Sequence, residues 1–512
     1  MTIMTRLAKT VMVQGTASNV GKSVVATALC RILKRKGFRV APFKAQNMAN
    51  NSHVTEEGGE IGTAQAVQAE ACGLAASPWM NPILLKPNSD TTSQVIILGK
   101  VAATLTAREY QRRKKDFFPY VDEALNRLRQ EFDVVVIEGA GSPVEINLKH
   151  DDIVNMAVAK RVSSPVILVG DIDRGGVFAQ IVGTFELLEP EERNLVRAFL
   201  INKFRGDKDI LKPGIEWIEK KIQRRSLGVL PMMADLRIKE EDSVVLEDGK
   251  SPAVDNASQK LLIHVIRLPR ISNFTDFEPL ARERDVILEY VREPQRHRCP
   301  DLLIIPGTKS TMADLAFLRE SGWDNHVKRC VRRGSAVLGI CGGYQMMGQS
   351  LHDPHHVESA ESDMRGLELL PVVTRFNREK TTVQVKAVHL ESQLPVAGYE
   401  IHMGETQNLN GARPLFQITE RQGKSVDAMD GLTSGTGGAR LWGTYIHGLF
   451  DLPGFRRHFL DQIREHYGLN PFKTPETSPS GFFENPYDRL ARTVEDNIDM
   501  NLLSGILEEQ LL

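Results

Sequence analysis

Residues 10–23 read Thr10-Val11-Met12-Val13-Gln14-Gly15-Thr16-Ala17-Ser18-Asn19-Val20-Gly21-Lys22-Ser23. An apolar run ends at a glycine, and a small polar loop follows. Gly-Lys-Ser then opens a segment in which Val24, Val25, Ala28, Leu29, Ile32 and Leu33 recur at helical spacing, up to the basic stop Lys34-Arg35-Lys36-Gly37. Strand, loop and helix in that order turn backbone N–H groups and the positive end of a helix toward an anion. Gly15, Thr16 and Gly21 form the cradle, Lys22 is placed to reach terminal phosphates, and Ser23 to set its hydroxyl on Mg²⁺. The loop is a variant, because the first glycine of G-x-x-x-x-G-K-[ST] is replaced by Thr16 and glycine falls one place earlier. A bound ATP with Mg²⁺ is the expectation.

Outward from this loop, short buried runs alternate with helical patterns. Thr10–Gln14, Arg39–Phe43, Asp133–Ile137, Pro165–Gly170, Ala198–Asn202 and Leu227–Leu230 read as strands. The alternation predicts an α/β domain, a doubly wound and mostly parallel sheet with helices on both faces. Glu138 closes one strand within Glu138-Gly139-Ala140-Gly141, where such sheets gather ligand groups, and is the first choice for a carboxylate near the metal. Glu60, in Gly58-Gly59-Glu60-Ile61-Gly62, is a second candidate for the same shell. Asn202 and Lys203 end another strand and are either contacts to the base edge or a strand-end polar pair.

Residues 237–260 lose periodicity and collect charge, glycine and proline, so they read as a linker after a first domain over 1–236. A second alternating series follows at Leu261–Ile266, Asp301–Ile305, Ala336–Ile340 and Leu441–Tyr445, giving a second α/β domain over 261–455. The remainder, 456–512, turns helical, with Phe455, Phe459, Ile463, Leu502, Leu503, Ile506 and Leu507 as packing stripes.

In the second domain the strand Ala336–Ile340 runs into Cys341-Gly342-Gly343. A cysteine on a tight turn after a buried strand exposes its sulfur and points the next N–H, that of Gly342, at a developing oxyanion. Gly307, in Pro306-Gly307-Thr308 after the Asp301–Ile305 strand, is placed to supply the other donor. Either residue of the pair Cys341 and His447 could be a core residue if alone. Together they point to a nucleophile and the base that takes its proton.

Composition narrows the partners. With 64 Lys+Arg against 65 Asp+Glu the formal net charge is -1, which offers no field for nucleic acid or an anionic membrane, so the partners are small molecules. Five cysteines without Cys-x-x-Cys spacing argue against a disulfide framework and a structural zinc site, and fit a reducing cytoplasm. The apolar stretch near the amino terminus is too short for a secretion signal. The cluster His352-Asp353-Pro354-His355-His356 is read as an exposed loop rather than a metal site, since Pro354 breaks any helical spacing of the histidines.

These motifs together resemble the cobalamin-type subgroup of class I glutamine amidotransferases, whose amino-terminal half is similar to the dethiobiotin-synthetase type of ATPase. The likeness spans essentially the whole chain. It rests on Gly15–Ser23, Ile137–Ser142, Pro42–Met48, Gly58–Gly62, Asp171–Gly176, Asn202–Gly206 and Leu268–Asp276. The resemblance implies transfer of glutamine nitrogen, driven by ATP, to the b, d, e and g carboxylates of adenosylcobyrinic acid a,c-diamide. A sister activity on the a and c carboxylates is the alternative. It also implies Cys341 as nucleophile, His447 as base, and Lys22 with Ser23 at the phosphates and metal. Asp152 and Asn155, downstream of Glu138, are either contacts to the corrinoid or solvated polar residues at a helix start. The usual His-x-Glu of the wider class is here His447-Gly448-Leu449, so the resemblance implies a dyad without an orienting acid.

Overall fold

The computed structural model describes residues 7–88, 91–233, 238–239, 260–295, 298–359, 361–409, 411–436, 439–472 and 485–509. The chain forms two compact units. The first takes in residues 1–49, 60–240 and 482–512, and the second 50–59 and 241–481.

The first unit is built on a six-stranded sheet, entirely parallel, in the order Arg225–Pro231, Val196–Phe204, Val166–Asp171, Lys9–Gly15, Val134–Glu138, Val40–Phe43. Its strands are apolar along their length because both faces are covered. Successive side chains alternate, so Met12, Val135, Ile137, Leu168 and Phe199 enter one core while Val11, Val13, Val136, Ile167, Val169 and Leu200 enter the other. Each such side chain, taken fully out of water, contributes about 1.5–3 kcal/mol. The helix Lys22–Arg35 covers the second of these faces, joined by helices Pro486–Glu495 and Met500–Glu508 near the end of the chain. Arg31 fixes the first of these two helices with a two-pronged pair to Asp488 at 2.8 and 2.9 Å. A smaller sheet adds Gln46–Met48, Ile83–Pro87, Thr92–Ile97 and Lys100–Thr106.

The second unit contains the parallel set Val286–Val291, Leu261–Ile266, Leu302–Ile305, Ala336–Ile340, Ala439–Thr444, in that spatial order. Its sheet continues antiparallel through Lys424–Thr436, Arg413–Arg421 and the long Val372–His389, which also pairs with Pro395–Asn408. This antiparallel extension and the strand Val286–Val291 are additions to the sequence reading.

The carboxy-terminal stretch expected as one helical extension over 456–512 is divided: helix Pro453–His466 belongs to the second unit, and the last two helices to the first. The linker expected at 237–260 lies outside the described residues except for 238, 239 and 260. Among the described residues no helix is long and apolar enough to cross a membrane.

Candidate active site

Both reactive centres sit at carboxyl ends of parallel strands, the position where open α/β sheets place ligands. In the second unit four adjacent strands deliver the centre in order. The segment after Leu261–Ile266 brings Asp276, that after Leu302–Ile305 brings Gly307, that after Ala336–Ile340 brings Cys341, and that after Ala439–Thr444 brings His447.

Cys341 has φ 52° and ψ −111°, a backbone conformation that costs energy for any residue but glycine. Packing holds it there. Its N–H donates to Thr444 O at 2.8 Å, and its carbonyl accepts from Gln345 N at 3.0 Å. The turn lifts the sulfur off the sheet, and the thiol donates to Ile401 O at 3.5 Å. The segments carrying Gly307 and Gly342 lie together: a Cβ on Gly342 would stand 3.3 Å from Thr308 N, and one on Gly307 3.1 Å from His447 Cε1. The segments expected to supply the oxyanion donors therefore lie beside the imidazole and the turn that carries the sulfur.

His447 is fully buried, and its Nδ1 lies 2.6 Å from Asp276 Oδ2. The other carboxylate oxygen accepts from Gly448 N at 3.0 Å. Asp276 thus takes both the ring N–H and the adjacent backbone N–H, which leaves Nε2 as the basic nitrogen. Nε2 is buried without a hydrogen-bond partner. Burial works against charge on this imidazole, but the Asp276 carboxylate and its hydrogen bond, then the Cys341 sulfur, raise its pKa well above the ordinary histidine value. This corrects the dyad expectation: an orienting acid is present, supplied by the loop after Leu261–Ile266 rather than by position 449. Leu449 is a buried apolar residue.

In the first unit the loop Gly15–Gly21 is closed by Lys22, whose Nζ donates to Ala17 O at 2.9 Å and Gly141 O at 3.1 Å. Ser23 Oγ donates to Glu138 Oε1 at 2.8 Å. Lys44 Nζ reaches the same oxygen at 2.9 Å, and Gln68 Nε2 donates to Oε2 at 2.5 Å. Register explains the Lys44 contact, since Phe43 pairs with Ile137 and the next residues are Lys44 and Glu138. Burial alone would push the Glu138 carboxyl up, but the Lys44 ammonium beside it, with hydrogen bonds from Gln68 and Ser23, holds it below the ordinary carboxylate range. Hydroxyl and carboxylate oxygens of this kind suit Mg²⁺. Thr16 Oγ1 is hydrogen-bonded to Gln180 at 3.2 Å.

Asn202 lies against the loop, donating to Val20 O at 2.9 Å, while its buried Oδ1 has no hydrogen-bond partner. A Cβ on Gly21 would meet Asn202 Nδ2 at 2.1 Å, so the loop accepts only glycine there. Three other expected residues have structural partners. Glu60 is paired in the interior with Lys86 at 2.5 Å. The carboxylate of Asp152 accepts from the backbone N–H groups of Val154, Asn155 and Ala157 at the start of helix Met156–Arg161. Asn155 braces the loop after Glu138, bonding Ala140 N, Ala140 O and Ser142 O at 3.1, 2.7 and 3.2 Å.

Asp276 and Lys44 escaped assignment in the sequence, although both lie in stretches singled out there. The available signal was position: Lys44 directly follows the strand Val40–Phe43, and Asp276 lies in the segment that leaves the carboxyl end of Leu261–Ile266, ten residues on.

Each half of the chain matches a known domain family. Residues 11–245 match the CobQ/CobB/MinD/ParA nucleotide binding domain, and residues 262–455 the CobB/CobQ-like glutamine amidotransferase domain. The chain is 49% identical over 516 residues to a cobyric acid synthase of Dehalococcoides mccartyi, covering 99% of both chains. It is 50% identical over 518 residues to that of Sorangium cellulosum, covering 98% of this chain and 99% of the relative. It is also 48% identical over 513 residues to that of Moorella thermoacetica, covering 98% of each. With likeness running end to end through both domains, the chain belongs to the cobyric acid synthase family.

Proposed function

We propose that the protein makes cobyric acid, using ATP and glutamine to convert the b, d, e and g carboxylates of adenosylcobyrinic acid a,c-diamide to amides. The observation that carries this reading is the presence, on one chain related end to end to such synthases, of a thiol–imidazole–carboxylate centre and a phosphate loop backed by an acidic strand end.

A carboxylate resists attack by ammonia until its oxygen becomes a leaving group, which phosphorylation by ATP provides as an acyl phosphate. Lys22 and the loop amides hold the phosphates and stabilise charge on the phosphoryl group in transit. Ser23 and Glu138 would hold Mg²⁺, with Glu60 as the outer candidate, and an ion bound there would neutralise phosphate charge as a Lewis acid. Asn202 Oδ1 takes a donor from the nucleotide. At the other centre His447 Nε2 removes the thiol proton, Cys341 attacks the glutamine amide, and the N–H groups near Gly307 and Gly342 bind the oxyanion. The imidazolium then protonates the departing ammonia, and water releases glutamate from the thioester. Asp152 and Asn155 act on this chemistry through the loop and helix start that they hold.

The test is a time course by mass with the a,c-diamide, glutamine and Mg·ATP. Each amidation exchanges OH for NH₂, so the mass falls by about one unit per step with one ATP consumed. The expected ladder ends after four steps. Two additions to cobyrinic acid, with no reaction of the a,c-diamide, would establish the sister activity instead.

A further inference from the structure

Residues 50–59 belong to the second unit, yet the chain on either side of them belongs to the first. In sequence they lie between Lys44, the partner of Glu138, and Glu60, the partner of Lys86. Asn51, Ser52, Val54 and Thr55 are buried. The segment is closed by a turn in which Thr55 N donates to Gly59 O at 2.7 Å and Gly59 N to Thr55 Oγ1 at 2.9 Å. It is anchored where Gln384 Nε2 donates to Val54 O at 2.9 Å.

One residue of this segment touches both flanks of the imidazole environment through its backbone. Ser52 N–H donates to Asn273 Oδ1 at 3.1 Å, and the Asn273 nitrogen packs 3.5 Å from His447 Nδ1 as a contact against the ring rather than a hydrogen bond, because Nδ1 carries the proton given to Asp276. Ser52 C=O accepts from Tyr399 OH at 3.3 Å. Tyr399 lies opposite His447 in an antiparallel bridge, the two exchanging backbone hydrogen bonds of 3.1 and 2.9 Å. The two rings stack with centroids 5.2 Å apart and planes 16° from parallel. The approach is tight, since a Cβ on neighbouring Gly398 would stand 2.0 Å from His447 O. Asp276 therefore fixes the ring's tautomer, while Tyr399 fixes its plane. The groups that hold Tyr399 and Asn273 come from a stretch of chain whose two ends lead into the ATP-binding unit.

We propose that Tyr399 and Asn273 are positioning residues for His447, held in register by residues 50–59, and that through this strap glutamine hydrolysis responds to occupation of the ATP-binding unit. The idea rests on the reading of His447 as the base of a glutaminase centre. A displacement of the strap needs to move the ring by only a fraction of an ångström to matter, because general-base transfer demands hydrogen-bond reach and alignment. Coupling of this kind costs a ligand only its difference in affinity for the two strap positions.

The full chain is tested with Tyr399→Phe, which removes the bond to Ser52 but keeps the stacked ring, and with Asn273→Ala. Glutamine hydrolysis is measured with and without Mg·ATP plus the a,c-diamide, and ammonia-driven amidation is measured on the same samples. For Tyr399→Phe we expect the ratio of stimulated to resting kcat to fall about tenfold, the effect of losing about one hydrogen bond in the working geometry. KM for glutamine should change less than about twofold, and ammonia-driven amidation should persist, showing that the variant is folded. Asn273→Ala should lower the same ratio. An unchanged ratio in both variants overturns the proposal, as does an equal fall in resting and stimulated rates, or a wild-type enzyme whose glutaminase ignores Mg·ATP and the diamide. If instead His447→Ala leaves glutamine hydrolysis intact, it is the assignment of the base that fails.

Discussion

The Asp276 carboxylate meets His447 Nδ1 at 2.6 Å across 171 residues of sequence, and both groups are buried. An acid placed two residues after the histidine would occupy position 449. Here Leu449 fills core space, and the acid arrives from another strand end. With its second oxygen on Gly448 N, Asp276 has little freedom to turn. Asp276→Asn is expected to lower glutaminase kcat by about 10²–10⁴, because the amide can present its N–H to Nδ1 and so favour the wrong tautomer. Ammonia-driven amidation should survive. Equal loss of both activities in a folded variant would show that the pair serves structure alone.

The same pair makes a pH prediction. Burial opposes charge on His447, and Asp276, then Cys341, more than offset it, so the folded-state pKa is raised. A raised value means that the imidazolium's contribution is complete below the ordinary histidine pKa and is lost as pH rises through the raised one. Replacing Asp276 by Asn leaves burial in command, and the acid limb of glutaminase kcat/KM, where the base becomes protonated, should move to lower pH. An acid limb at the same pH in wild type and variant would mean that another group sets it.

Separate nitrogen and phosphate centres predict a split in kinetics. Cys341→Ser should abolish glutamine-driven amidation yet retain activity with high ammonium at alkaline pH, since only the nitrogen source is lost. Lys22→Ala should abolish amidation from either source. Ammonia-driven turnover in Lys22→Ala would place the working phosphate site elsewhere.

How much of this was legible depended on burial. The parallel strands of both units are buried on two faces, so runs such as Val134–Glu138 and Ala336–Ile340 stand out from their surroundings without help from a partner strand. The antiparallel strand Val372–His389 is mixed, with Thr374 and Phe376 buried but Arg375 and Lys386 exposed, and polar residues crowd its middle. Alternation is confined to its two ends, such as Val383-Gln384-Val385-Lys386-Ala387, and the polar stretch Asn377–Thr382 between them breaks the pattern. Cys341 and His447 were legible because their neighbours advertise a tight turn and a strand end. Asp276 was not, because a carboxylate's partner is fixed by which strands lie side by side, and the order Leu261–Ile266, Leu302–Ile305, Ala336–Ile340, Ala439–Thr444 is a property of the folded sheet.

Asn155 separates a bracing role from a substrate role. It holds Ala140 and Ser142 on either side of Gly141, whose carbonyl accepts from Lys22. Asn155→Ala leaves buried backbone groups unpaired, at about 1–3 kcal/mol, and should raise KM for ATP. Asp152→Ala removes the acceptor of the Val154, Asn155 and Ala157 N–H groups, at about 1–3 kcal/mol of stability, with little change in KM for ATP. A selective rise in KM for the corrinoid in either variant would restore a direct contact with substrate.

The last prediction concerns Lys44, whose ammonium shares Glu138 Oε1 with the Ser23 hydroxyl. Glu138 is buried, so desolvation raises its pKa, and Lys44 is the largest of the groups that bring it below the ordinary value. A lowered carboxylate contributes stability at pH above its unfolded value and loses it as pH falls through the folded one. Lys44→Met leaves the carboxylate in the interior without its cation, a break that costs about 3–5 kcal/mol in buried pairs. Protonation of Glu138 then sets in at higher pH. Both the acid limb of ammonia-driven amidation and the acid unfolding midpoint should move upward in pH, and the two should move together because one carboxyl governs both. Glu138→Gln in the same background should remove the pH shift in stability and abolish amidation. If the acid limb of Lys44→Met coincides with that of the wild type, Glu138 is not the group whose charge the phosphate centre requires.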